Sequence, residues 1–450
     1  MEIVICGGGK VGEELCRDLS YEGHDVVLIE EREKRLDHLI NSIDISGVKG
    51  NGALSDVQHE AGVENCDAYI AVTPDDETNI IASLTARSLG AKHVVARVRG
   101  PEYSAQMNFL RESLGIHLLI NPEFESAREI SYMLRFSTVL NVEHFENGQV
   151  LIVETILAAE SLLVGKSLSE IGRRFGDVLV CVVKRGEKTI IPSGDFVLQA
   201  GDHLYLSGKA DEIRMFCSGG KRRPQRIKTV LIVGGGRLTR YLLRLLEPLN
   251  VRAKVIELDD ETADRLAADY PNVEVVCGDG TSQFFLKQER MSLYDAVISL
   301  TGIDEENLLV SIYASRQGVK KTVTKVNRTD LLDVLDDVGL QAIVTPKRII
   351  ADQIIRFIRS LENTTGNNID MFYRLADGQA EALQFSVGGE CDWCGRSLSE
   401  LQIKPGTLVL AIIRDHRVIY PHGRDMLLTG DKVIVVATSG KLRDLKDIFI

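Results

Sequence analysis

A glycine-rich turn set between a short apolar strand pattern and a helix pattern occurs twice in this chain, half a chain apart. The first copy reads Ile3-Val4-Ile5-Cys6-Gly7-Gly8-Gly9-Lys10-Val11-Gly12, and the second reads Val230-Leu231-Ile232-Val233-Gly234-Gly235-Gly236-Arg237-Leu238-Thr239. A strand that turns on glycine directly into a helix is the entry to a doubly wound α/β sheet, so the duplication points to two such units in tandem. In Gly7-x-Gly9-x-x-Gly12 the first glycine permits the tight turn, the second lets backbone approach a phosphate, and the third allows close helix–strand packing. Free N–H groups and the helix dipole then point at the anion.

The alternation of strand and helix periods supports this over the first ~140 residues. Strands are predicted at Ile3–Cys6, Val26–Ile29, Ile45–Val48, Tyr69–Val72, Val94–Val98 and His117–Ile120. A helix is predicted at Lys10–Tyr21, where Val11, Leu15 and Leu19 fall on one face. Residues 228–350 repeat the order, with strands expected at Val230–Val233, Ala253–Ile256, Val273–Val276, Ala296–Leu300, Thr322–Val326 and Ala342–Val344. A second pattern repeats as well. Gly165-Lys166-Ser167-Leu168-Ser169-Glu170 matches Gly395-Arg396-Ser397-Leu398-Ser399-Glu400, Ile191-Pro192-Ser193-Gly194 matches Tyr420-Pro421-His422-Gly423, and Gly201-Asp202 matches Gly430-Asp431. Short β-branched blocks between turns read as small α+β domains. The expected fold class is therefore α/β, with tandem doubly wound parallel-sheet domains at 1–140 and 228–365. Each is followed by a small α+β domain, at 141–218 and 366–450, and a linker at 219–227 joins the halves.

At 450 residues the chain suits two to four domains. Hydrophobic residues at 44% and charged residues at 26% are the proportions of a soluble globular protein, and no apolar run approaches the length of a spanning helix. The N-terminus enters a strand at once, which leaves no place for a signal peptide and predicts a cytosolic protein. Cys6, Cys16, Cys66, Cys181 and Cys277 lie in apolar patterns and are expected to be buried thiols. Cys391-Asp392-Trp393-Cys394 has metal or redox spacing but lacks a second ligand pair, which favours a reduced loop. A net charge of −12 argues against nucleic acid as a partner, and the basic stretch Lys221–Arg226 reads as a solvated linker.

Around the first turn, other strand ends supply groups for a nucleotide. Glu30 ends the second strand, about 20 residues on, where a carboxylate can accept hydrogen bonds from an adenosine ribose and repel a 2′-phosphate. NAD(H), ATP or ADP is thus favoured over NADPH. Asn51 lies in the Gly50-Asn51-Gly52-Ala53 turn, and Thr73 and Pro74 close the fourth strand at the sheet edge where open α/β folds bind ligands. Arg97 and Arg99 follow on the fifth strand, and an arginine fork suits polyphosphate, although Arg99 serves equally as a surface or interface ion pair. In the second copy Glu257 stands for Glu30, Asp279 for Asn51 and Lys325 for Arg97, while Thr239 replaces the third glycine. A β-branched residue there should push the helix from the strand and loosen the second site. No acid or base with a supporting partner sits beside either turn, as a dehydrogenase would require, so a binding or sensing role is favoured over a catalytic one. An NAD-dependent oxidoreductase with duplicated domains, or a free-standing sensor of the NADH/NAD ratio, is the alternative.

The A-B-A′-B′ order, GGGKVG, the acid at Glu30, the GNGA and GDGT turns and the Pro-x-Gly and Gly-Asp motifs together resemble the TrkA family. These are two-repeat RCK (KTN) proteins, the cytosolic regulatory subunits of Trk potassium-uptake systems. The resemblance spans essentially the whole chain. It implies a gating-ring subunit beneath a TrkH-type potassium-translocating membrane subunit, peripheral on the inner face of the cell membrane. A homo-oligomer, either a tetrameric ring or its dimeric building block, is implied too, with NAD(H) and ATP/ADP binding changing the ring's shape. The family's nucleotide contacts fall on Gly7, Gly8, Gly9, Lys10, Val11, Glu30, Thr73, Pro74 and Arg97, and in the second repeat on Gly234, Gly235, Gly236, Arg237, Leu238 and Glu257. The segments Asn121–Leu140 and Pro346–Leu361 read as helices with broad apolar surfaces. Packing on the chain's own sheet is one use for them, and the resemblance implies a subunit interface.

Overall fold

The computed structural model describes residues 1–100, 111, 113–135, 139–175, 178–218, 227–328, 342–362, 369–388, 392–438, 442 and 444–450. Phe136, Cys391 and all of the linker except Ile227 fall outside that set. In the first repeat, β1 (Glu2–Cys6), β2 (Asp25–Glu30), β3 (Ser46–Lys49), β4 (Ala68–Ala71), β5 (His93–Arg97) and β6 (Leu118–Ile120) form a parallel sheet in the order β3-β2-β1-β4-β5-β6. Its central strands are apolar on both faces because helices cover both, as in β4, whose four residues are all buried. The order reverses direction between β1 and β4, and there the crevice of a doubly wound sheet opens at the carboxyl ends of the strands. The strands β7 (Val139–Phe145), β8 (Val150–Ile156), β9 (Leu179–Arg185), β10 (Lys188–Ile190) and β11 (His203–Ser207) then make an antiparallel sheet in the order β10-β9-β11-β8-β7.

The second repeat has the same plan. β12 (Thr229–Val233), β13 (Arg252–Glu257), β14 (Glu274–Cys277), β15 (Ala296–Ser299), β16 (Lys321–Lys325) and β17 (Ile343–Val344) form a second parallel sheet in the order β14-β13-β12-β15-β16-β17. β18 (Ile369–Leu375), β19 (Ala380–Ser386), β20 (Thr407–Arg414), β21 (Arg417–Ile419) and β22 (Lys432–Ala437) form the last sheet. Most strands start or end within a residue or two of the sequence reading. Two expectations are corrected. The helix read at 121–140 stops at Arg135, and Val139 and Leu140 belong to β7, where Val139 is fully buried and paired with Thr155 of β8. Cys277, the last residue of β14, is exposed because β14 is the edge strand, whereas Cys6, Cys16, Cys66 and Cys181 are buried. Among the described residues no helix is long and apolar enough to cross a membrane.

The halves are joined by an exchange of crossover helices. Pro122–Arg135 leaves the first parallel sheet and inserts Ala127, Ile130, Met133 and Leu134 into the core of the second, beside Val230, Leu242 and Ile298. Pro346–Glu362 does the reverse, placing Ile350, Ala351, Ile354, Ile355 and Ile358 among Ile5, Leu15 and Ile70. The contact is locked at its rim by Arg359, whose Nε and Nη2 donate to Glu22 at 3.1 and 2.6 Å, and by Arg374 with Asp18 at 3.1 Å. The apolar faces of both helices pack on the chain's own sheets, one of the two uses read above, and they do so crosswise: each covers the sheet of the other repeat. The two antiparallel sheets likewise stack face to face, with Phe145, Val182 and Tyr205 against Leu375, Leu410 and Ile434. Tyr205 Oη accepts from Ala376 N at 3.0 Å, and Tyr373 Oη donates to His144 O at 2.6 Å.

Because Ile354 is a core residue of the first sheet, Ile354→Ala should cost about 2–5 kcal/mol. Hydrogen exchange should show the loss of protection at β1 and Lys10–Tyr21 of the first repeat, and loss confined to the second repeat would contradict the exchange.

Candidate functional site

Each glycine turn is held by a carboxylate. Gly8 N donates to Glu30 Oε2 at 2.8 Å, and Gly235 N donates to Glu257 Oε2 at 2.5 Å. Glu30 Oε1 also accepts from Arg32 N at 3.1 Å and Arg32 Nε at 3.0 Å. Burial opposes its ionisation, but the Arg32 side chain and the amides of Arg32 and Gly8 outweigh that and hold the carboxyl below its usual range. With about four acceptor positions on a carboxylate, three are taken, which leaves one on Oε2 for a ribose hydroxyl. Glu257 is spent in the same way, its Oε1 accepting from Leu258 N at 2.8 Å and Asp259 N at 3.0 Å.

The glycines divide by what surrounds them. Gly7 needs its residue type for conformation, with φ +105°, as does Gly234 at +103°. A Cβ on Gly8 would lie 2.9 Å from Glu30 Oε2, and one on Gly12 would lie 1.9 Å from Gly7 O. Gly9 and Gly236 differ from these. Their φ and ψ, −64° and −176° in one and −67° and −171° in the other, suit any residue, and a Cβ on either would project into open space. Nothing among the described residues explains glycine there, whereas a phosphate laid against the helix start would.

Thr239 is fully buried, and its Oγ1 donates to Gly234 O, the counterpart of the carbonyl that would block a Cβ at Gly12. At Thr239 the hydroxyl engages that carbonyl as a hydrogen bond. The turn itself keeps its conformation, so its N–H groups are presented as in the first repeat.

At the carboxyl edge of β4 and β5, Arg97 Nη2 donates to Thr73 O and Arg99 Nη2 to Pro74 O, with Arg99 N on Asp76 Oδ2 at 2.9 Å. Arg97 Nε is buried without a partner among the described residues. Burial, with Arg99 alongside, pulls its guanidinium down to about 10, against the pull of Glu123 and Asp76, so it stays charged at neutral pH. Lys325, in the equivalent place, is also lowered by burial and directs Nζ towards Leu300 O at 3.4 Å. Asn51 and Asp279 sit beside the acidic strand ends and close their own turns, Asn51 Oδ1 accepting from Ala53 N and Asp279 Oδ1 from Thr281 N. Lys10 and Arg237 are exposed at the helix starts, while the Val11 and Leu238 side chains are buried beneath them.

Two residues absent from the sequence reading hold this site together. Asn79, fully buried, accepts from Thr73 N at 2.8 Å and donates to Thr73 O and Arg97 O at 3.0 and 2.9 Å. Asn307 repeats this with Thr301 and Lys325. The signal was present as an Asn in the first turn of a helix in both repeats. Arg35 donates to Gly8 O and pairs with Glu13 at 3.0 Å, bracing the first turn alone.

The TrkA-N domain model matches residues 3–122 and 230–346, and the TrkA-C domain model matches 152–218 and 383–450. The Trk system potassium uptake protein TrkA homolog 2 of Methanosarcina mazei is 30% identical over the full length of both chains. The Trk system potassium uptake protein TrkA of Vibrio alginolyticus is 29% identical over 100% of this chain and 98% of its own. Among solved structures, the GsuK RCK domain superposes with a TM-score of 0.65 at 19% identity, covering 97% of this chain and 92% of that one. The GsuK channel bound to NAD gives 0.64 at 19% identity, covering 97% and 77%. At that identity the likeness is one of fold.

Two substitutions separate the roles of the glycines. Gly12→Ala should destabilise the first repeat by about 1–3 kcal/mol through its clash with Gly7 O. Gly9→Ala should leave stability within about 0.5 kcal/mol and still weaken nucleotide binding. Thermal melts with parallel titrations check both.

Proposed function

The chain belongs to the TrkA family, and from that premise we propose that it is a nucleotide-binding regulatory subunit of a potassium-uptake system, switching a TrkH-type membrane subunit in response to NAD(H) or ATP/ADP. The observation that carries the reading is the pair Gly9 and Gly236, glycines required by neither conformation nor packing, each at the start of a helix whose amides face outward. The one acceptor position left on Glu30 fits a ribose hydroxyl, and the buried Nε of Arg97 fits a terminal phosphate. NAD bound to GsuK and the potassium-uptake names of the relatives support the ligand and the pathway.

A ligand shifts a switch only if it binds one state better than the other. Beside the crevice, the ends of β5 and β6 meet the second repeat's turn helix: Asn121 Nδ2 is 2.9 Å from Tyr241 Oη, and Tyr241 Oη is 3.3 Å from Arg99 O. A nucleotide that shifts those strand ends alters the spacing of the two halves. The binding chain acts as a homo-oligomer, as a ring or its dimeric unit, on the inner face of the membrane. It works by binding rather than by catalysis, a reading that turnover of NADH with a carbonyl substrate would overturn.

Arg97→Ala should abolish discrimination between ATP and ADP in calorimetric titration while adenosine still binds within about threefold, since a charge-assisted bond to the terminal phosphate contributes roughly 1.5–3 kcal/mol. Unchanged discrimination would remove Arg97 from the site. In light scattering the purified chain should exceed the monomer mass, and a monomer would end the ring assignment.

A further inference from the structure

The fifth strand of each parallel sheet begins on a base withdrawn from solvent. Ala68 of β4 pairs with His93 of β5, and Ala296 of β15 pairs with Lys321 of β16, so the two bases hold equivalent places at the amino ends of the sheets. The lysine just before each is spent on an acid at the rim, Lys92 on Asp67 at 2.7 Å and Lys320 on Asp295 at 2.8 Å. The residue that follows is half-buried His93 in one copy and Lys321, 1% exposed, in the other.

Each base meets a segment that the helix exchange brings from the opposite repeat. His93 lies edge-on to Phe357 of Pro346–Glu362, with ring centroids 6.1 Å apart, and its Nδ1 is buried and unpartnered among the described residues. Lys321 Nζ donates to Val139 O, at the first residue of β7, which follows Pro122–Arg135. Unlike Lys320, Lys321 has no carboxylate paired with it among the described residues. An ammonium carries three N–H donors and a full charge, and one main-chain carbonyl in a buried site leaves most of that demand unmet. A neutral amine in the same place loses far less. Among the described residues Cys217 is the titratable group that faces Lys321, from the end of Ala210–Cys217, and it packs in the same core as Val139. Burial brings the amine down to about 7, against the pull of Cys217 towards the ammonium.

We propose that Lys321 is a proton-operated latch on the joint between the second parallel sheet and β7: the neutral amine stays seated against Val139, and taking up a proton releases that end of the joint. The latch adds proton activity as an input that does not depend on what the glycine turns bind. An exposed lysine holds its proton up to about pH 10.4 and the seated one only to about 7, so between those values the opened joint carries the extra proton and falling pH favours opening. Below about 7 the seated amine is protonated as well, and the dependence on Lys321 levels off.

Hydrogen exchange on the full chain across this range, corrected for the intrinsic exchange rate at each pH, tests the latch. In the unaltered protein, protection of β7 and β16 should rise between about pH 7 and 9 by up to roughly tenfold per pH unit, while β2 of the first sheet changes by less than about twofold. Lys321→Met, similar in length and unable to titrate, should keep both strands protected at the lower pH and abolish the rise. A lysine with a merely structural role would give a ratio of unaltered to Lys321→Met protection that is the same at both ends of the range, and that result overturns the proposal. If Lys321→Met fails to fold, the unaltered protein decides alone: protection of β7 and β16 that follows β2 at every pH overturns it too.

Discussion

The exchange of the crossover helices sets nearly everything else in this structure. A parallel sheet needs apolar cover on both faces, and each sheet here draws part of its cover from the other half of the chain: Ile350, Ile354 and Ile358 lie over the first, and Ile130, Met133 and Leu134 over the second. Neither half is therefore a closed domain. The rim pairs Arg359–Glu22 and Arg374–Asp18 are partly or wholly buried, so breaking them would strand charges out of water and hold the halves in one register. The stacked antiparallel sheets repeat the arrangement at the other end of the molecule, with Tyr205 reaching the main chain at Ala376.

This register is what gives the glycine turns their surroundings. A strand–turn–helix unit alone offers amides and a dipole, which are generic to the fold. Here the carboxylates Glu30 and Glu257 are pinned to the turns they follow, Asn79 and Asn307 tie the fourth and fifth strand ends together, and the partner repeat supplies the next layer. The repeats match in backbone and diverge in side chains. Arg97 against Lys325 and Gly12 against Thr239 lie around the two turns, and the strand cores differ as well, β16 burying Lys321, Thr322 and Thr324 where β5 has His93, Val94 and Ala96.

Much of this was legible in the residues. Period and turn chemistry located all twelve strands of the parallel sheets, because those strands are short apolar blocks between glycines, acids and helix starts. The end of the helix at Arg135 was not, since Val139 and Leu140 continue its apolar content, and only pairing with β8 makes them strand. Cys277 read as buried because periodicity does not say which strand lies at an edge. The helical faces of Pro122–Arg135 and Pro346–Glu362 were evident, but a face does not name what it packs on. For the same reason the sequence did not place Ile350, Ile354 and Ile358 on the first sheet, since that contact joins segments far apart in the chain. Asn79 was missed because a polar residue in a helix is ordinarily solvated, and its duplication at Asn307 was the available hint.

The interlocked cores also impose an order of events at the ribosome. Domains usually fold as they emerge, N-terminal first, at about 5–20 residues per second. The first sheet is complete once Ile120 has been made, yet the isoleucines that cover one of its faces arrive only with Pro346–Glu362. For on the order of ten seconds or more at that rate the nascent chain must carry a bare apolar flank, with Ile5, Leu15 and Ile70 short of their cover. Synthesis of this protein thus includes an obligatory waiting state, a natural substrate for holding chaperones. Truncation anywhere before residue 350 would leave that flank permanently open.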